Sequence, residues 1–436
     1  MRSQMSDNKP VTASAKKPIH VLHVLGVLNM GGAESRIMDL YRNIDRNVIQ
    51  FDFLVHTKAS VPGNKVPTSE ELMAVRPADY YDTEVRKLGG QIFALPRFTG
   101  TNGIEYKKAA RQFFASHHEA AVIEGHMTSM AGIYLPIAKQ YGDPVTISHV
   151  RSAGVDPGIR GVVTKILRSR LPECADELVA CSRLAGEAVY GKNLMESGRV
   201  KVIPNAIDLE ALRFDGDVRK KTRAALGVPD DVFVIGHVGR FDEMKNQKFL
   251  VDILKEINDP RCRLLMVGTG VLKDTVEKQL ADYGLSDKAI FAGQCEAKHT
   301  HELYQAMDAF VFPSLYEGLP GTVVEAQAAG LPCFISDAVT SEVAVTELVK
   351  MLSLGDAAKW ADGIKECIDD NAGNLGSPGS ESVDAANDTK ADSAGIDLRS
   401  EHSTSAIEEL RTAGFSVRDQ ALKLTEWYLK LAEGRA

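Results

Sequence analysis

The chain has 436 residues, too many for one ordinary core, and at about 100–200 residues per domain it should divide into two or three. Its hydrophobic content of 44% and charged content of 25% are those of a soluble globular protein. A formal net charge of -8 argues against a dedicated nucleic-acid binder, which carries a basic excess.

Residues 1–17 are polar with scattered Lys and Pro and read as a loose tail. They lack the apolar core of a secretory signal, and the first apolar run, 19–28, is too short to span a bilayer. No run of 18 apolar residues occurs, so any membrane contact is expected to be peripheral. The six cysteines, Cys174, Cys181, Cys262, Cys295, Cys333 and Cys367, form no Cys-x-x-Cys pair, which points to neither a zinc ribbon nor a redox motif. Several sit among apolar residues, and the expected compartment is a reducing cytoplasm.

Beyond the tail, short β-rich runs alternate with longer helical segments, the pattern of parallel sheets covered by helices. In the first half, strands are predicted at 19–25, 51–55, 91–95, 120–123, 145–148, 177–180 and 201–203, with helices at 33–42, 104–116, 129–140 and 183–190. The periodicity lapses over 204–217. A second series then has strands at 232–238, 263–267, 290–292, 309–312 and 333–336, with helices at 246–257, 272–283, 301–306 and 322–329. The simplest account is two doubly wound α/β domains, 18–204 and 205–367, joined near residue 205. Ligands of such folds lie at the carboxyl ends of the strands, here in a cleft between domains. Residues 58–78 read as a loop insertion. Residues 368–405, rich in Asp, Ser, Ala, Gly and Asn, read as a disordered low-complexity insertion, because they offer little apolar surface to offset chain entropy. Helical spacing returns at 406–413 and 417–431 within a C-terminal segment, 406–436.

The richest motif follows the predicted strand 309–312. Glu317 and Glu325 are separated by seven residues, and Gly318, Pro320 and Gly321 turn the chain between them. The helix that follows would offer the amides of Gly321, Thr322 and Val323, at its positive end, to a diphosphate. Thr322-Val-Val-Glu325 is equally a capping box, in which Glu325 returns a hydrogen bond to the Thr322 amide. Capping gives no reason for Glu317. After the strand 232–238 comes Gly239-Arg240, with Lys245 five residues on, where two cations flank a strand-to-helix loop and could neutralise a leaving diphosphate. Gly268-Thr-Gly270 makes a further turn at the same edge, with Phe291-Ala-Gly293 beside it.

The stretch from Glu317 to Pro332, Glu-Gly-Leu-Pro-Gly-Thr-Val-Val-Glu-Ala-Gln-Ala-Ala-Gly-Leu-Pro, resembles the E-x7-E signature of retaining family-four glycosyltransferases, and in particular their exopolysaccharide and capsule branch. The resemblance covers about 19–360 and the last helix, with several motifs in order. It implies the GT-B fold, two Rossmann-like domains around a deep cleft, with the acceptor side in 18–204 and the nucleotide-sugar site in 205–367. It also implies roles. Arg240 and Lys245 stabilise the departing diphosphate, Glu317 holds sugar hydroxyls and Glu325 the ribose. The loops at Gly239, Gly268 and Gly270 border the nucleotide. In the first domain, Gly31-Gly32 matches the family's glycine-rich loop against the donor, and His126 matches a histidine that reaches the transferring sugar. Arg151 stands where relatives often carry the second His of a His-x-His pair, and Pro204-Asn-Ala206-Ile-Asp208 matches the interdomain linker with Ala in place of Gly.

The implied partners are a nucleotide diphosphate sugar and a saccharide or lipid-linked acceptor, at the cytoplasmic face of the membrane. Residues 158–170 alternate basic and apolar groups, which suits either an amphipathic helix on lipid headgroups or a core helix with a charged outer face. No Asp-x-Asp motif sits at a strand end, so no metal or other cofactor is expected. The rival readings are a GT-B nucleotide-sugar epimerase or phosphorylase, and a non-catalytic nucleotide-sugar-binding subunit of a polysaccharide complex. Release of nucleoside diphosphate only with acceptor present separates the epimerase from a transferase, and an inert Glu317→Ala change would favour the subunit.

Overall fold

The computed structural model describes residues 17–151, 164, 167–374 and 388–434. Two all-parallel sheets organise them. The first contains β1 (Ile19–Val24), β2 (Ile49–Thr57), β3 (Ile92–Pro96), β4 (Val122–Gly125), β5 (Val145–Val150), β6 (Glu177–Ala180) and β7 (Val200–Val202), in the order β3-β2-β1-β4-β5-β6-β7. The second contains β8 (Phe233–Val238), β9 (Cys262–Val267), β10 (Ala289–Gly293), β11 (Ala309–Phe312), β12 (Cys333–Ser336) and β13 (Val349–Leu352), in the order β10-β9-β8-β11-β12-β13. Their central strands read as nearly unbroken apolar runs because helices cover both faces. In each sheet the strand order reverses between the first strand and the fourth, β1/β4 and β8/β11. Loops leaving such a switch point diverge and open a crevice.

Three apolar clusters follow from this layering. One runs along one face of the first sheet, through Ile207, Leu209 and Leu212, into the second domain. A second fills the other face of the first sheet, and a third packs around Trp360 in the second domain. The last helix, Val417–Glu433, does not stay with the second domain. It crosses back and buries Val417, Ala421, Leu424 and Tyr428 against residues of the first, including Ile37 and Phe51.

Several elements differ from expectation. The edge strand β13 went unpredicted. Residues 58–78 are not wholly loop: Thr68 and Glu71 form a capping box that starts the helix Ser69–Val75. Much of 368–405 is helical instead of disordered, since Ala357–Asn374 and Asp388–Thr412 are both helices, while 375–387 lies outside the described residues. The second helix is anchored by polar groups. Arg399 donates to the carbonyls of Tyr304, Gln305, Met307 and Ala329, and Ser403 bonds Phe214 N and Ala328 O. Most of the basic segment 158–170 also lies outside the described residues. Among those described, no helix is long and apolar enough to cross a membrane.

Candidate functional site

A cleft of about 1370 Å³ opens at the carboxyl ends of both sheets, lined by Gly31 and Gly32 from the first domain and by Gly239, Arg240, Lys245, Gly268, Thr322 and Glu325 from the second. Lys245, on its wall, forms an ion pair through Nζ, in the loop after β8, with Glu317 Oε1, in the loop after β11, at 2.5 Å. The ammonium also stands 4.8 Å from the centre of the Phe312 ring, which favours its charge. Arg240 does not join this pair. Its side chain is 73% exposed, and Nε donates to Asp242 at 2.8 Å.

The glycines explain how two loops share this edge. Gly268 has a φ of +135°, and a β-carbon there would lie 2.1 Å from the Gly239 carbonyl; one at Gly270 would lie 2.3 Å from that of Phe241. Side chains at either position would push the loop after β9 off the loop after β8.

The helix after Glu317 begins at Gly321, with Pro320 as its N-cap. Thr322 is therefore the second helical residue, and the predicted capping box does not form. Its hydroxyl is buried without a partner. The Val323 amide bonds Pro320 O at 3.2 Å, so of the three amides expected to face a ligand, those of Gly321 and Thr322 remain. Glu325 turns elsewhere. Its Oε2 accepts from Tyr304 OH at 2.9 Å, and Oε1 pairs across the cleft with Arg36 Nη2 at 3.0 Å. Burial, then the adjacent carboxylate, holds the Tyr304 phenol well above its ordinary pKa and keeps it a donor. The domains also meet where Ser182 Oγ donates to Gly318 O at 2.8 Å, and where the Glu342 carboxylate caps the helix Arg183–Tyr190 by accepting from the Arg183 and Leu184 amides.

His126 follows β4, but its side chain is only 2% exposed and lies in a buried polar network. Arg151 Nε donates to His126 Nδ1 at 3.2 Å, so the proton of the neutral ring sits on Nε2, which donates to His23 Nδ1 at 3.0 Å. The nitrogens of His23 and His126 lie within 4.8 Å of each other and of a Glu124 oxygen, a spacing that a cation could use. Glu124 accepts from His149 Nδ1 at 2.5 Å and from Tyr428 OH, on the returning C-terminal helix, at 2.6 Å. Burial pushes His23 and His149 down to about 4, and burial with Arg151 lowers His126 well below its usual value. Arg151 also reaches the linker, donating to Asn205 Oδ1 at 2.7 Å. Ala206, next in the linker, does not have positive φ, consistent with the loss of glycine there.

Sequence reasoning singled out the strand-end loops but missed Arg36, Tyr304 and Tyr428. Arg36 could have been suspected from its place one turn into the helix after Gly31-Gly32. Nothing local marks the other two.

The model of the family "Glycosyl transferases group 1" matches residues 218–378. EpsF of Bacillus subtilis (strain 168), a glycosyltransferase by name, is 34% identical over 351 residues, covering 79% of this chain and 86% of that protein. An Escherichia coli UDP-Gal:alpha-D-GlcNAc-diphosphoundecaprenol alpha-1,3-galactosyltransferase is 29% identical over 184 residues, 40% of this chain and 46% of its own. Among solved structures, Anabaena HepE in complex with UDP and glucose matches with a TM-score of 0.67 at 20% identity, covering 93% of this chain and 98% of that one. Sucrose-phosphate synthase from Thermosynechococcus elongatus matches with a TM-score of 0.70 at 17% identity, over 95% and 100%. The two parallel sheets are those of the GT-B fold, and the chain belongs to the group 1 glycosyltransferases.

Proposed function

We propose that this glycosyltransferase moves a hexose-type unit from a nucleotide diphosphate sugar to a saccharide or lipid-linked acceptor, with retention of anomeric configuration, in exopolysaccharide or capsule synthesis. The observation that carries this reading is the Lys245–Glu317 pair, a cation and a carboxylate in contact at the strand ends, 2.5 Å apart and at the mouth of the helix Gly321–Ala328. A leaving diphosphate adds negative charge where Lys245 and the helix-start amides can oppose it, and a carboxylate beside it accepts from sugar hydroxyls. Arg240, exposed at the cleft wall, has the freedom to leave Asp242 for a phosphate. His126 would approach the sugar from the other domain only by leaving its hydrogen bonds to His23 and Arg151. Similarity to EpsF supports the polysaccharide context, and the name of the Escherichia coli relative supports a lipid-linked acceptor.

The reaction runs without a metal ion in this reading, at the cytoplasmic face of the membrane. Incubation with a panel of nucleotide sugars and crude lipid-linked saccharide, with mass detection of the product, tests it. Nucleoside diphosphate release that requires acceptor, an axial-to-axial or equatorial-to-equatorial anomeric outcome by NMR, and full activity in EDTA are expected. Inversion, loss of activity in EDTA restored by Mn or Mg, or no transfer from any donor would each overturn the corresponding part.

A further inference from the structure

In the reading above, Glu325 receives the ribose of the donor, and the following inference rests on that assignment. Glu325 is desolvated, with a side chain 8% exposed, and each of its oxygens already has a donor. The two donors are not equivalent. Tyr304 is fully buried in the same domain, on the helix Ala297–Ala306 directly beside Glu325, and it cannot withdraw without breaking the core. Arg36 comes from the first domain, 289 residues away in the chain, and reaches across the cleft. It also has somewhere to go, because its Nη1 lies 3.4 Å from Asp39 Oδ2 on the same helix.

A ribose diol brings two O–H donors to a carboxylate. With Tyr304 fixed on Oε2, the position open to exchange is the one held by Arg36 on Oε1. We propose that Arg36 and the nucleotide ribose compete for Glu325, so that Arg36 sets the affinity of the site for nucleoside diphosphate and helps expel the spent nucleotide. Donor entry moves Arg36 back onto Asp39 and releases one tie between the domains. After transfer, Arg36 returns to Glu325 and replaces the ribose hydroxyls. Arg36 thereby weakens binding through the ribose alone and leaves contacts to base and phosphate unchanged.

That selectivity makes the inference testable without knowing the sugar or acceptor. UDP, GDP and ADP, each with its 2′,3′-dideoxy counterpart, would be titrated calorimetrically into the wild type, Arg36→Met and Arg36→Lys. For the diphosphate that the wild type binds, Arg36→Met should tighten the ribonucleotide roughly tenfold, while the dideoxynucleotide changes by less than about twofold. Arg36→Lys should fall between, and thermal melts would establish that the variants are folded. In the Glu325→Gln background the gain from Arg36→Met should vanish. If Arg36→Met weakens binding, or shifts both nucleotides by the same factor, Arg36 is a closure contact and the competition is wrong. If the wild type binds none of the three diphosphates, the donor-site reading fails, and the competition fails with it.

Discussion

Two segments of this chain share the pattern Thr-x-x-Glu, and they have opposite fates. Thr68-Ser-Glu-Glu71 is a capping box: the Thr68 hydroxyl accepts from the Glu71 amide, and the Glu71 carboxylate accepts from the Thr68 amide. Thr322-Val-Val-Glu325 is not. The chain enters that helix through Pro320-Gly321, which starts it earlier, so Thr322 is already inside and Glu325 faces away from the cap. A shift of the helix start converts a structural carboxylate into one free to span the cleft. The spacing of the two residues is therefore insufficient, and the residues just ahead of them decide which role the glutamate takes.

The contrast can be broken or sharpened by substitution. The largest effect belongs to the neighbour of the second segment: Glu317→Ala or Lys245→Met should lower the transfer rate by about 10²-fold or more, with a melting temperature close to wild type, read by product formation under saturating donor. Glu325→Gln should raise the donor KM roughly tenfold, whereas Glu71→Gln leaves steady-state kinetics unchanged. Thr68→Ala should cost about 1 kcal/mol in urea unfolding, the usual worth of a side-chain cap. Thr322→Val, which removes a buried hydroxyl that has no partner, should be neutral or stabilising by less than about 1 kcal/mol. A loss at Thr322 as large as that at Thr68 would mean that the second box does form in solution.

The same logic marks what was legible in the sequence. Strand positions could be read because apolar runs flanked by turns need no distant information, and the loops after β8 and β11 were picked out because strand ends carry ligands in this fold class. β13 was not, since Val349-Lys-Met-Leu is short, half exposed and paired on one side only. The helix Asp388–Thr412 escaped notice because it docks through a buried guanidinium that donates to four backbone carbonyls, a kind of anchoring that no hydrophobic periodicity reveals. In the site, the strand-end loops could be picked out from the sequence, but Arg36, Tyr304 and Tyr428 were not, and neither were the pairings. That Lys245 meets Glu317 while Arg240 turns to Asp242, and that Arg36 meets Glu325, depends on contacts that only the assembled domains create.

The return of the helix Val417–Glu433 to the first domain has a consequence for how the molecule is made. Tyr428 donates to Glu124, and Val417 N bonds Ile207 O beside the linker, so the interior of the first domain includes side chains that are synthesised only after the second domain. During translation that domain leaves the ribosome with Glu124 lacking one of its two donors and with part of its apolar face uncovered. It waits through the synthesis of the entire second domain before it can close. Of these two domains, the one made first is finished second, and a chain that stops before Val417 carries that unfinished face with it.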